Sequence, residues 1–233
     1  MPGFVVSEEA VEPLREDGDT ASVRVTIDSS SGSERLEQRV IRFTQGRSKP
    51  RTLDGAQQVL YVAAGRGTLL VDGQAHDLEP DTGAYVAAGE TFEIDNPAPD
   101  ELVVVAVGLP QENGSHPPEQ RTVRRADRPT LPAGSERRFR YLADQEVGSY
   151  DVTQFLGVID PSRAPDHGHV YDEVIYVVEG EGTLHLDGRR TSIGPGSCIH
   201  LPPLVEHCLE NHGPGPMRVL GVFHPAGDPA GRA

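Results

Sequence analysis

Two stretches of this chain decide how it folds: QQVLYVAAGRGTLLVDG, residues 57–73, and DEVIYVVEGEGTLHLDG, residues 172–188. They are one segment written twice, 115 residues apart. The correspondence runs without a gap from Pro50 and Pro165 to Pro110 and Pro225, pairing Pro80 with Pro195, Asn96 with Asn211 and Val104 with Val219. Most of the identical positions are Gly, Pro, Asp, Asn or β-branched. Those residue types set backbone shape, so what is repeated is a fold. VLYVAAG and VIYVVEG are β-rich runs ended by glycine, and TLLVDG and TLHLDG alternate up to a second glycine, the pattern of short strands. Turn signals recur at roughly 8–12-residue spacing, which points to antiparallel sandwiches or barrels.

Composition agrees. The 233 residues include 26 Gly and 20 Pro, which favour many short strands over long helices. A net charge of −15 repels phosphate backbones and anionic membranes, so neither nucleic acid nor a membrane is an expected partner. No targeting segment is visible at the start of the chain. Cys198 and Cys208 make no disulfide framework, so a cytoplasmic location is expected. The single lysine, Lys49, lies in the first half, and no nucleophile elbow, phosphate-binding loop or dinucleotide fingerprint is present.

The second half carries chemistry that the first lacks. In DHGHVYDE, residues 166–173, an extended chain presents His167 and His169 to one side, and Glu173 keeps that parity. His207 follows in LPPLVEHCLEN. Three imidazoles and a carboxylate suit a borderline divalent transition metal with positions left for water, oxygen or substrate.

These residues resemble the two motifs of the cupins, small jelly-roll β-barrels. The first reads His167, Gly168, His169, three residues, Glu173, six residues, Gly180; the second reads Pro202, Pro203, Leu204, Val205, Glu206, His207, three residues, Asn211. Leu204 stands where the family has glycine, which leaves the local turn open. The resemblance implies metal binding by His167, His169, Glu173 and His207. Together with the repeat it implies an all-β chain of two tandem cupin barrels. The expected division is an N-terminal arm or added edge strand over residues 1–30, a metal-free barrel over 31–112, a linker over 113–135, a metal-binding barrel over 136–228 and a tail over 229–233. The repeat places Thr52, Asp54, Gln58 and Phe92 at the four ligand positions of the first barrel, and phenylalanine cannot ligate.

Tyr171 shares the parity of the ligands and is a candidate hydrogen-bond donor or acid, or else a rim aromatic. His200 and His185 are further acid–base candidates, although alternation sets His185 opposite Leu184 and Leu186. Tyr176 and Asn211 recur as Tyr61 and Asn96 and belong to the fold. The resemblance implies one divalent metal per chain, Fe(II) first, with Mn, Ni, Co or Zn open. Its expected activity is that of a dioxygenase-like oxidoreductase on a small polar organic molecule, in a monomer or homodimer. Metal-dependent isomerase, decarboxylase, lyase or hydrolase chemistry, or ligand binding without turnover, are the alternatives.

Overall fold

The structure, a computed structural model, describes residues 3–113, 118 and 120–231. Strands and four short 3-10 turns make up all its regular elements among the described residues. None of its helical turns is long and apolar enough to cross a membrane.

Each half folds into a seven-stranded sheet facing a smaller one. The large sheet of the second half runs Phe4–Ser7, Ser197–Leu201, Asp172–Glu179, Met217–His224, Thr153–Ile159, Arg137–Ala143, Leu131–Pro132. Its smaller partner is Ser162–Arg163, His207–Asn211, Gly182–Leu186, Arg189–Ile193. The first half repeats the plan, with Ala56–Ala64 where the second has Asp172–Glu179 and Thr91–Asn96 where it has His207–Asn211. All ladders are antiparallel, as a jelly roll requires. The chain thus has two tandem antiparallel β-barrels of jelly-roll form.

The two large sheets pack back to back, which explains why the repeated runs are apolar on both faces. Leu60 and Val62 point into the first barrel, and Ile175 and Val177 into the second. Their neighbours Val59, Tyr61, Val174 and Tyr176 meet in a shared layer with Leu142, Leu156 and Leu220. Each aliphatic side chain so buried is worth about 1.5–3 kcal/mol.

The segment expected as an arm over residues 1–30 divides between the two barrels. Phe4–Ser7 pairs with Ser197–Leu201 of the second barrel, whereas Ala21–Ile27 is an inner strand of the first, paired with Glu37–Phe43. The region expected as a linker over 113–135 behaves in the same way: Thr122–Arg124 crosses back to pair with Thr82–Val86 of the first barrel. Each barrel's leading segment therefore completes the other's sheet.

Candidate metal centre

His167, His169, Glu173 and His207 gather at one end of the second barrel. His207 opens the strand His207–Asn211, and its backbone exchanges two hydrogen bonds, 2.9 and 3.0 Å long, with that of His167. Glu173 lies on Asp172–Glu179 with Ile175 and Val177, so its carboxylate faces the interior. The turn leading to His207 is held by a 2.7 Å bond from the Leu204 N–H to the His169 carbonyl. Leu204 adopts φ 64 there, and Gly89, its counterpart in the repeat, adopts φ 81. The family turn is thus kept without its glycine.

One ligand atom each from His169, Glu173 and His207 fall within 4.8 Å of one another, and all three residues are buried. His167 stands beside this triplet, its ring centroid 4.6 Å from that of His207. The Nδ1 atoms are tied to backbone carbonyls: His167 to Pro165 at 3.2 Å, His169 to Tyr171 at 3.0 Å and His207 to Val205 at 2.9 Å. A bond of that kind places the proton on Nδ1 and leaves Nε2 as the donor atom, the arrangement that metal-ligating histidines show.

Electrostatics favour the same use. Burial pushes the His207 imidazole down to about 4 and also lowers that of His167, so both present lone pairs at neutral pH. His169 moves the other way: burial opposes its charge, but the hydrogen bond to Glu173 and the Glu173 charge outweigh it. Its Nε2 lies 2.9 Å from Glu173 Oε2, so a positive charge, proton or cation, is called for between them. His169, Glu173 and His207 together fit a divalent transition metal, and His167 stands beside them.

The remaining candidates separate. Tyr171 lines the same cavity, its ring stacked on Phe223 at 4.5 Å. His200 is a correction: it does not reach the cavity. Ile199 and Leu201 turn into the barrel, whereas His200 points the other way, where its Nε2 bonds Asp172 Oδ1 at 2.6 Å. Asp172 in turn accepts from Ser33 of the first barrel at 3.4 Å, so His200 belongs to the contact between barrels. His185 also lies outside, bonded to Glu210 at 2.7 Å. In the first barrel Phe92 is part of the core, and the buried Gln58 occupies the place of Glu173.

The cavity beside the ligands measures about 180 Å³. Arg137, Phe139, Phe155 and Phe223 line it, together with the stretch from Asp228 to Gly231. Sequence reasoning takes the ERRFR stretch, residues 136–140, as a solvated face or inter-barrel contact rather than an anion site, and misses Phe155, Phe223 and the stretch from Asp228 to Gly231 because they lie outside the metal motifs. A signal existed, since no aromatic residue stands at the matching places in the first half.

A family model described as a cupin domain matches residues 39–108 and again residues 155–223. An uncharacterized protein of Methanocaldococcus jannaschii is 33% identical over 54 residues, 23% of this chain and 43% of that protein. Quercetin 2,3-dioxygenase of Bacillus subtilis is 36% identical over 76 residues, 29% of this chain and 23% of the enzyme. The aligned part thus spans less than half of either relative. The crystal structure of protein Ylba from E. coli superposes with a TM-score of 0.82 at 12% identity, covering 97% of this chain and 92% of that one, a likeness of fold. Two successive matches to one domain, on the two barrels of one chain, make the conclusion plain: the chain belongs to the cupin family, as a bicupin.

Proposed function

We propose that the chain is a metal-dependent oxidoreductase that holds one divalent transition metal, Fe(II) first, through His167, His169, Glu173 and His207. The observation that carries this reading is the convergence of three imidazoles, each anchored through Nδ1, beside a buried carboxylate. The likeness of one segment to quercetin 2,3-dioxygenase supports dioxygen chemistry on a small polar organic molecule. When bound, such a metal supplies a Lewis acid and, if redox-active, electrons for dioxygen.

The chain's own residues do the rest. Glu173 orients His169 through their shared hydrogen bond, and His169 gives up that proton when a cation takes its place. Ile175, Leu201 and Leu209 wall the site with apolar surface and keep bulk water away. Tyr171 holds the rim. The small molecule is the only partner we assign, in the cytoplasm, where the buried free thiols Cys198 and Cys208 stay reduced.

The test is oxygen uptake by protein loaded with Fe(II) under anaerobic conditions and then given air and enolic or phenolic acids. Substrate-dependent uptake, lost in His207→Ala, is expected. Turnover without oxygen uptake by the Mn-, Ni- or Zn-loaded chain would replace this reading with non-oxidative chemistry.

A further inference from the structure

We infer that the cavity takes a molecule built on one planar ring, aromatic or enolic, and excludes larger polyphenols; this names the substrate class of the metal site proposed above and rests on that reading. Strand register puts an aromatic wall next to the ligands. Phe223 lies directly opposite Glu173 on the neighbouring strand, and residues so paired hold their Cβ atoms about 5 Å apart. From Phe223 the aromatic surface runs both ways. Its ring stacks on Tyr171 at 4.5 Å and meets Phe155 at 5.6 Å, and Phe155 meets Phe139 edge-on at 6.0 Å. All four line the cavity beside the metal ligands. Such a surface gains most from a flat ring, which can lie stacked or edge-on against it.

The fold does not need this wall. In the first barrel Gln58 stands in place of Glu173, and Gly108, opposite it, in place of Phe223. Register likewise sets Val23 in place of Phe139 and Arg39 in place of Phe155, and the repeat sets Ala56 in place of Tyr171. Aromatic wall and metal ligands therefore occur together in one barrel and are both missing from the other. The room for a ligand is specific to that barrel as well. Phe155 lies over Gly221, where an added Cβ would be 2.2 Å from the ring, and an added Cβ on Gly157 would be 3.6 Å from it. The first barrel has Ala106 and Ile41 at those two places, both buried in its core.

Size sets the limit of one ring. A dry cavity of roughly 150 Å³ takes one benzene ring. At about 180 Å³ this one has room for a ring and a small substituent, and none for a three-ring flavonol. The stretch from Asp228 to Gly231 lines the cavity beside Tyr171 and is pinned there. Thr153 exchanges two hydrogen bonds with the Gly227 backbone, 3.0 and 3.1 Å long, and Tyr141 donates to Asp228 at 3.4 Å. With that strap held, the cavity keeps its length. His169, Glu173 and His207 line the same space, so a ring seated on Phe223 stands beside the metal ligands.

Titration of the full chain, metal-free and zinc-loaded, with benzyl alcohol and with cyclohexylmethanol, followed by NMR, tests the inference. The two probes carry the same hydroxyl group. Burial alone favours the less polar saturated ring, so a preference for benzyl alcohol reports the flat shape and its π-face. Benzyl alcohol is expected to bind at least about threefold more tightly, the scale of one aromatic pair. A smaller preference, or the reverse order, overturns the inference. Quercetin in excess should leave benzyl alcohol bound, and displacement by it overturns the inference too. Phe155→Leu combined with Phe223→Leu should bind the two alcohols alike, and a preference that survives in this variant, folded by its melting curve, overturns the assignment of the wall. The comparison on the unmodified chain decides even where that variant fails to fold. Elemental analysis of the same samples reads the metal site separately. A chain that holds metal and shows no preference refutes this inference alone, whereas one that prefers the flat ring and never holds metal refutes the metal-site reading.

Discussion

Leu204 and His200 show what single residues reveal and conceal. Leu204 sits at φ 64, a conformation that costs an L-residue with a side chain about 1–2 kcal/mol, and at 70% exposure it buries little in return. Leu204→Gly is expected to stabilise the chain by about 0.5–1 kcal/mol, net of glycine's extra freedom when unfolded, and to raise Tm by roughly 2 °C. A lower Tm by scanning calorimetry would mean that the Leu204 side chain makes a contact that outweighs its strain. The ligand spacing was legible because HxH and the later Glu and His repeat a pattern of residue types. The turn was not, because leucine carries no sign of a left-handed backbone. His200 was illegible for another reason. Alternation sets it opposite Ile199 and Leu201, but in a strand buried on both faces nothing local says which face is the barrel interior. His200→Ala should leave metal content unchanged and cost about 1–3 kcal/mol by depriving the Asp172 carboxylate of its partner. Loss of metal from that variant would return His200 to the site.

At the scale of elements, the repeat was readable where it was gapless and lost where it shifted. Both barrels carry a bulge in their leading inner strand, between Val25 and Ile27 in one and Tyr141 and Ala143 in the other, and across these strands the offset is 116. A gapless repeat therefore hides Ala21–Ile27 within an N-terminal arm, although it is an inner strand of the first sheet. Elements are also stapled by single side chains. Asp151, just before Thr153–Ile159, accepts from Gln57 of the first barrel at 2.5 Å and from the Glu112 and Asn113 N–H groups at 3.0 and 3.3 Å. Burial opposes its charge, but these bonds together hold its carboxyl below the usual carboxylate range. A lowered pKa contributes stability above the unfolded value, about 3.9, and that stability is lost as pH falls through the folded value. Asp151→Asn is thus expected to cost about 1–3 kcal/mol at pH 7 and less below pH 4. Denaturant melts at both pH values check it, and an equal loss at both would show that the charge is not what Asp151 contributes.

The whole molecule is held together by exchange between its halves. Tyr61 of the first barrel donates to Asp81 at 2.6 Å, and Arg218 of the second barrel bonds the same carboxylate. In the mirrored place the repeat has Gly196, and the N-terminal segment supplies the missing carboxylate: Glu8 accepts from Tyr176 at 3.3 Å and from Arg42 of the first barrel. No single-barrel reading of the sequence could have found this, because the second carboxylate comes from the far end of the chain. Deleting residues 1–10 would remove Glu8 and bare the edge of Ser197–Leu201, whose unpaired N–H and C=O groups invite association. That variant should melt at lower temperature and aggregate in light scattering. A monodisperse variant with unchanged Tm would mean the exchanged strand is dispensable.

Every functional assignment rests on the metal centre, and metal content tests that centre most directly. Protein purified without oxygen or added metal, beside His207→Ala, should carry about one transition metal ion per chain in the parent and close to none in the variant, as a site built from three imidazoles and one carboxylate requires. Equal metal in both, or none in either after reconstitution, would contradict the assignment of His167, His169, Glu173 and His207 as its ligands.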